Sequence, residues 1–164
     1  MEIRLASKIL SDSVVDGEGL RTVIWTQGCP HHCKQCHNPE TWSFEGGFLK
    51  DCDEVIEEIK NIELQDGVTF SGGDPMMQPE ACMYIAKELK KLGLNIWCYT
   101  GFKFEELNDK QKEFLKYVDV LVDGEFMIDL KSYSAKFRGS TNQRVLNVKS
   151  SLKNNKPVCL KKYK

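Results

Sequence analysis

Cys29, Cys33 and Cys36 lie close together, with three residues between the first pair and two between the second. This spacing brings three thiolates within reach of one metal centre, and the next cysteine along the sequence is Cys52. Iron–sulfur cubes are ordinarily held by four cysteines. A loop with three of them indicates one iron without a protein ligand, by the logic that leaves an open coordination position at catalytic zinc sites. An open iron can bind a substrate and do chemistry on it.

All three histidines of the chain lie in the same stretch. His31 and His32 fall inside the cysteine loop, where a histidine can ligate a metal, although polar loop side chains are mostly solvated. His37, directly after Cys36, is the better candidate for contact with a bound ligand. It could also complete a Cys3His zinc set, which is the main alternative to an iron–sulfur cluster. Structural zinc sites usually take their ligands from two pairs, and the sequence has no second closely spaced cysteine pair.

Length, charge and composition restrict the classes of protein to which this chain can belong. The 164 residues suit a single domain, 1–164, with a hydrophobic core of its own. A formal charge of −1 gives no basic field that would indicate a nucleic-acid partner. The sequence shows no signal peptide and no apolar run near the roughly 20 residues that span a membrane, so we expect a cytoplasmic protein with reduced thiols. Cys82 and Cys98 fall in apolar patterns and should be core residues, whereas Cys52 and Cys159 have no assigned role.

The chain alternates between predicted strands and helices. Apolar runs predict strands at 22–26, 68–70, 95–99 and 118–122. Apolar stripes and capping residues predict helices from Asp51 or Asp53 to about 62, from 79 to 92, and from Asn108 with Gln111 as its capping-box partner. Three successive β-α units predict an α/β fold with a mostly parallel sheet and right-handed crossovers. Because an eight-unit barrel needs about 250 residues, we expect a partial, open β/α barrel or a doubly wound sheet.

Four polar segments directly follow the predicted strands: the cysteine loop, 71–75, 100–101 and 123–124. Ligands of such sheets bind at the carboxyl ends of the strands, so these segments should line one shared binding site. Gly72 and Gly73 lack side chains, which lets backbone groups approach a ligand, and Asp74 could take an ammonium or a hydroxyl group. The alternative is an ordinary strand-to-helix turn, which needs glycine and aspartate anyway. The same two interpretations apply to Thr100 and Asp123.

The cysteine spacing, followed by Gly-Gly-Asp-Pro after the next strand, resembles the radical S-adenosylmethionine superfamily. Segments 16–22, 26–29 and 36–42 are similar to the glycyl-radical-enzyme activases. Segments 96–101, 120–124 and 138–144 are similar, more narrowly, to activating proteins of anaerobic ribonucleoside-triphosphate reductases. The resemblance extends over about 9–152, almost the whole chain.

The resemblance implies a partial barrel of the radical S-adenosylmethionine type, with Cys29, Cys33 and Cys36 holding a [4Fe–4S] cluster. It implies that Gly72, Gly73 and Asp74 bind the amino group of S-adenosylmethionine. Reductive cleavage of this cofactor would give methionine and a 5′-deoxyadenosyl radical. The radical would take a hydrogen atom from a glycine in the large subunit of the reductase, the protein substrate. A low-potential donor such as a flavodoxin or ferredoxin would supply the electron.

This chain departs from the superfamily at Gln35, where an aromatic residue commonly precedes the third cysteine. The backbone of Gln35 and Cys36 remains a candidate for contact with the adenine, and His37 is the nearest ring. Thr100, Asp123 and Arg138 are candidates for contact with the ribose or carboxylate; the alternatives make Asp123 a turn residue and Arg138 a surface charge. Two other functions stay open: activation of another glycyl radical enzyme such as pyruvate formate-lyase, and a non-catalytic zinc-binding module.

Overall fold

A computed structural model describes residues 1–163 of the chain. Within that range the chain forms eight strands: β1 (Glu2–Leu5), β2 (Leu10–Ser13), β3 (Arg21–Thr26), β4 (Phe48–Asp51), β5 (Gly67–Gly72), β6 (Asn95–Tyr99), β7 (Val120–Asp123) and β8 (Arg144–Asn147). It also forms four α-helices: α1 (Cys52–Lys60), α2 (Pro79–Lys90), α3 (Asp109–Leu115) and α4 (Val148–Asn154). The strands and helices expected from the sequence are present as β3, β5, β6, β7, α1, α2 and α3. None of the described helices is long and apolar enough to cross a membrane.

All eight strands belong to one sheet, and its central strands β3, β5, β6 and β7 are parallel neighbours in that order. On one side, β8 pairs antiparallel with β7. On the other side, β1 and β2 both pair antiparallel with β3, and β1 also pairs with β4. The fold is therefore mixed α/β with the parallel centre that the sequence predicted. Within the described residues β4 and β8 end the pairing path without pairing with each other, so the sheet is open.

The sequence did not predict the antiparallel strands at the sheet margins. β2 (Leu-Ser-Asp-Ser) and β4 (Phe-Leu-Lys-Asp) are short and largely exposed, so neither shows an apolar run or a clear alternation. Both form because β3 and β1 offer backbone groups that need partners, and such pairing does not require an apolar pattern. These strands extend the sheet without changing the order of its parallel centre.

The two faces of the sheet have separate cores because successive side chains of a strand point to opposite faces. Ile96 and Cys98 of β6 pack in a large cluster with α1, α2 and α3, whereas Trp97 belongs to a smaller cluster with Val120 and Tyr163. Full burial of each large apolar side chain contributes about 1.5–3 kcal/mol. Cys82 and Cys98 are fully buried, which confirms that they are core residues.

Arg21 anchors the amino ends of the parallel strands, opposite the cysteine loop. Its side chain is 1% exposed and donates to Thr69 Oγ1 (2.8 Å) and to the carbonyl oxygens of Val68 (3.0 Å) and Asn95 (2.9 Å). Burial lowers the pKa of this guanidinium to about 10. Gly67 must lack a side chain here, since a Cβ would lie 2.3 Å from the backbone oxygen of Asn95 and 2.6 Å from Arg21 Nη2. Part of the segment 16–22 therefore has a structural role at the amino ends of the parallel strands.

Candidate active site

A cavity of about 390 Å³ lies at the carboxyl ends of β3, β5, β6 and β7. Its volume is typical of sites that bind small molecules. All four of the expected segments contribute to its wall, through Cys29, Gly72, Thr100 and Gly124 among others. The expectation that these four segments line one shared cavity is confirmed. A second cavity of about 400 Å³, lined by Arg21, lies at the amino ends of the strands, and no cysteine contributes to it.

The cysteine loop forms one wall of the cavity, with Cys29, Cys33 and Cys36 all lining it. The loop is closed at its base, because Gly28 N donates to Thr41 O (2.7 Å). A tight turn joins the last two cysteines, since Cys36 N donates to Cys33 O (3.0 Å). These backbone bonds therefore help to hold the loop that brings all three cysteines to the cavity.

The donor set suits an iron–sulfur cluster. The three thiols are free, and burial raises the pKa of Cys29 to about 11 and also raises the pKa of Cys33. Thiols of this kind become ligands when a nearby metal supplies positive charge. Within residues 1–163 no three His, Cys, Asp or Glu side chains are arranged to hold a single metal ion. A cube does not need that arrangement, because its cysteines bind different irons.

Gly72 and Gly73 lie where the backbones of β3, β5 and the cysteine loop approach one another. Gly72 has a φ of +111°, and a Cβ on it would lie 2.4 Å from Thr26 N. A Cβ on Gly73 would lie 2.5 Å from Gly28 O. The fold itself therefore requires both glycines, and the same absence of side chains leaves their backbone groups lining the cavity.

Asp74 lies behind the cavity wall and is fully buried. Its carboxylate accepts hydrogen bonds from Thr100 Oγ1 (2.8 and 2.9 Å), Gly101 N (3.0 Å) and Met76 N (3.0 Å). The fourth partner is His31 Nε2, at 2.6 Å. Asp74 thus connects the turn after β5, the end of β6 and the cysteine loop. Thr100 lines the cavity but directs its hydroxyl group to Asp74.

His31 is not the solvated loop residue that the sequence suggested. Its side chain is 9% exposed, and its ring bridges Asp74 and Glu125, with Nδ1 at 3.2 Å from Glu125 Oε1. Burial acts to lower the pKa of His31, but the two carboxylates outweigh it and the pKa is raised. No local pattern could have shown this, because the two partners lie 43 and 94 residues away in the sequence.

Three other candidate residues lie at different places around the cavity. His37 lines it, with its ring 5.0 Å from that of Phe126. Gln35 is exposed, with a φ of +55°. Arg138 donates to the carbonyl oxygens of Lys136 (3.3 Å) and Gln143 (3.5 Å). Of these three side chains, the structure brings that of His37 to the cavity.

Asp123 is fully buried at the end of β7 and forms an ion pair with Arg144 of β8. Its carboxylate accepts hydrogen bonds from Arg144 Nε (2.9 Å), Arg144 Nη2 (2.6 Å) and Phe104 N (2.7 Å). Asp123 raises the pKa of Arg144, and Glu105 adds to this effect. The carboxylate joins β7, β8 and the segment after β6, while its neighbour Gly124 lines the cavity.

Comparison with known proteins identifies the family. Residues 15–146 match the family model described as a 4Fe-4S single cluster domain. Proteins named anaerobic ribonucleoside-triphosphate reductase-activating protein are 37% identical in Haemophilus influenzae, over 79% of this chain and 89% of the relative. The protein of that name from Escherichia coli K12 is 37% identical, over 80% of this chain and 91% of the relative. The one from Enterobacteria phage T4 is 36% identical, over 80% of this chain and 86% of the relative. The chain belongs to the family of anaerobic ribonucleoside-triphosphate reductase-activating proteins.

Membership of this activating-protein family helps to choose between the iron–sulfur cluster and the zinc site that the sequence left open. The match to a 4Fe-4S domain supports an iron–sulfur cluster rather than a zinc site. The relatives carry the name that the resemblance of segments 96–101, 120–124 and 138–144 had suggested. The recognition made from the sequence is therefore confirmed.

A solved structure with a similar fold is that of QueE from Escherichia coli. The likeness has a TM-score of 0.51 at 16% sequence identity, and it covers 61% of this activating-protein family member and 52% of QueE. At this identity the likeness concerns the fold alone.

Sequence reasoning missed several residues that line the cavity of this activating-protein family member. They include Asp16, Tyr99, Phe126 and Gln143. Asp16 and Gln143 lie in segments that carry the family resemblance, which was the signal available for them. Tyr99 ends β6 on the face opposite Cys98, so strand alternation could have placed it.

Asp123→Asn should destabilise the fold by about 2 kcal/mol, because a buried charge pair loses one partner. For a domain of this size, the midpoint of thermal unfolding should fall by about 6 °C. Glu105→Gln is the matched control. The Glu105 side chain is 53% exposed and also pairs with Arg144, so the loss of its charge should cost at most about 0.5 kcal/mol. Equal shifts for the two variants would contradict a structural role for Asp123.

Proposed function

We propose that this protein is a radical S-adenosylmethionine enzyme, an oxidoreductase that activates an anaerobic ribonucleoside-triphosphate reductase by forming a glycyl radical on its large subunit. The observation that carries the proposal is that three cysteines with free thiols line the same cavity as Gly72 and Gly73. Family membership supports it, because the relatives are named for the activation of this reductase. When bound, a [4Fe–4S] cluster and S-adenosylmethionine would supply the homolytic cleavage of a carbon–sulfur bond and the abstraction of a glycine hydrogen atom.

The proposed ligands of the cluster are Cys29, Cys33 and Cys36, which leaves one iron without a protein ligand. The chain's tasks are to bind and orient the cofactor and to exclude water. The loop bonds at Gly28 and Cys36 keep the sulfur-bearing residues in place. Such a site needs no general base.

For S-adenosylmethionine, we propose that backbone groups of Gly72 and Gly73 bind the amino group. The ring of His37, beside Phe126, and the backbone of Gln35 and Cys36 are the proposed contacts of the adenine.

We propose that the remaining candidates act from behind the cavity wall. All four acceptor sites of the Asp74 carboxylate are engaged, so direct capture of an ammonium group would require it to exchange a bond with His31 or Thr100. Asp123 would hold the end of β7, and Arg138 would hold the segment that bears Gln143.

At the level of the whole protein, we propose a single domain, 1–164, whose open sheet is a partial barrel of the radical S-adenosylmethionine type. The parallel order β3, β5, β6 and β7 supports this assignment. The proposed partners are the large reductase subunit and a low-potential electron donor such as a flavodoxin or ferredoxin. The proposed location is the cytoplasm.

The test is electron paramagnetic resonance on anaerobically reconstituted, reduced protein, with and without S-adenosylmethionine. We expect a reduced cubane signal that changes when the cofactor is added. Mixing with the large reductase subunit should then give a glycyl radical signal, whereas mixing with a pyruvate formate-lyase should not. A glycyl radical on the formate-lyase alone would contradict the proposed substrate. A cluster signal that does not change when S-adenosylmethionine is added would contradict the proposed mechanism.

A further inference from the structure

We infer that His31 is a positioning residue that ties the cysteine loop to the buried carboxylate of Asp74 and so sets the distance between the cluster ligands and the backbone of Gly72 and Gly73. The tie itself follows from the contacts of the described residues. Its consequence for cofactor binding rests on the function proposed above.

The carboxylate of Asp74 has no free acceptor site for another donor. A carboxylate has about four acceptor sites, and four donors reach this one: Thr100 Oγ1, Gly101 N, Met76 N and His31 Nε2. Thr100 and Gly101 directly follow β6, and Met76 lies in the turn after β5. His31 lies in the cysteine loop, so its bond joins the Asp74 carboxylate to the middle of that loop, whereas the backbone bond from Asp74 N to Gly28 O (2.8 Å) holds only the base of the loop.

The ring of His31 occupies a space that suits it. A Cβ on Gly101 would lie 2.5 Å from His31 Cδ2, so the glycine makes room for the imidazole. On another side, the Phe102 ring meets the imidazole edge to face, with centroids 4.5 Å apart. The two ring nitrogens point to carboxylates of different segments, Asp74 at 2.6 Å and Glu125 at 3.2 Å. An imidazole can make both contacts because its nitrogens lie on opposite edges.

The tie acts on the cluster ligands because His31 lies midway between Cys29 and Cys33. Without the imidazole, Asp74 loses a donor inside the protein, and an unmatched buried acceptor is costly. The loop would then keep its backbone bonds at the base, from Gly28 to Thr41, from Cys29 to Trp42 and from Asp74 to Gly28, but it would lose the bond at its middle. Displacement of a reacting group by about 1 Å can lower a rate by about 100-fold.

The first measurement uses the apoprotein and needs no cofactor. In His31→Ala, Cys29, which is 8% exposed, should react with iodoacetamide about tenfold faster than in the wild type, because the loop opens more often. Peptide mass spectrometry gives the rate for each cysteine, with Cys159 as the internal reference. His32→Asn is the matched control, since His32 is exposed and stacks on Trp42 instead, and it should label like the wild type.

The second measurement uses anaerobically reconstituted protein. His31→Ala should load iron close to the wild-type amount, since all three thiols remain, but its dissociation constant for S-adenosylmethionine should rise about 10- to 100-fold. The readout is the cofactor-induced change in the paramagnetic resonance spectrum. If His31→Ala does not fold, Gly101→Ala displaces the ring from the other side and should reproduce both effects.

The outcomes separate this inference from the proposed function. Wild-type labelling of Cys29 in both His31→Ala and Gly101→Ala would overturn the tie, and an unchanged cofactor affinity would overturn its effect on positioning. Failure of His31→Ala to load iron would also overturn the inference, because His31 would then be needed to hold the cluster. If the resonance spectrum of the wild type did not change with S-adenosylmethionine, the proposed function would be contradicted. The labelling rates of Cys29 would still test whether His31 holds the cysteine loop.

Discussion

Cys33→Ala should lose the iron–sulfur cluster and lower glycyl radical formation on the reductase to background. Two thiols would remain at the cavity, which leaves a second iron without a protein ligand. Of the four other cysteines, Cys52, Cys82 and Cys98 are fully buried in the core, and Cys159 does not line the cavity. None of them can therefore replace the missing thiol without leaving its packing. Iron content, visible absorption and the resonance spectrum of reconstituted protein measure the loss.

Cys159→Ala is the matched control for this prediction. Cys159 is partly buried against the large core cluster and does not line the cavity, so this variant should load iron like the wild type. The Cys33→Ala apoprotein should unfold within about 1 kcal/mol of the wild type, because the side chain lies in a loop and is only half-buried. Full iron loading of Cys33→Ala would contradict the assignment of the cluster ligands.

Gly72→Ala should destabilise the apoprotein by about 3 kcal/mol, or prevent folding. Two effects add: the φ of +111° is strained for any L side chain, and the new Cβ would lie 2.4 Å from Thr26 N and 2.3 Å from Thr26 O. Neither contact can be relieved by turning a side chain, because both atoms belong to the backbone of β3. Thermal unfolding of the apoprotein should show a midpoint lower by about 10 °C.

Gly93→Ala separates the steric effect from the backbone strain. Gly93 follows α2 with a φ of +77°, and a Cβ there would meet no atom within 4 Å. It should cost about 1 kcal/mol from the backbone alone. If Gly72→Ala were no less stable than Gly93→Ala, the steric requirement for a glycine at position 72 would be contradicted.

The elements that the sequence predicted well are those whose signals are local. β6 matches its expected bounds, 95–99. The capping box of α3 is present, with Asn108 and Gln111 bonded to each other's backbone. Asp51 caps α1 by accepting a hydrogen bond from Asp53 N. Each of these depends on residues within about four positions of one another, so the pattern can be read along the chain.

The edges of the sheet were missed for the opposite reason. β8 (Arg-Val-Leu-Asn) has two buried residues between two half-buried ones, and such a short pattern occurs in many loops. It is a strand because β7 lies beside it with unpaired backbone groups, and because Arg144 pairs with Asp123 across the two strands. Both partners become available only once the chain has folded.

The sequence by itself determined the family of this protein and identified three candidate ligands of an iron–sulfur cluster. The spacing of Cys29, Cys33 and Cys36 indicated the cluster, and the β-α alternation placed the loop at the carboxyl ends of a parallel sheet. The tertiary structure decided the directions of the charged side chains. Asp74 is buried and meets His31 of the cysteine loop, and Asp123 is buried and meets Arg144 of β8. The physical reason is that a buried carboxylate must find donors, and packing brings together donors that are distant in the sequence.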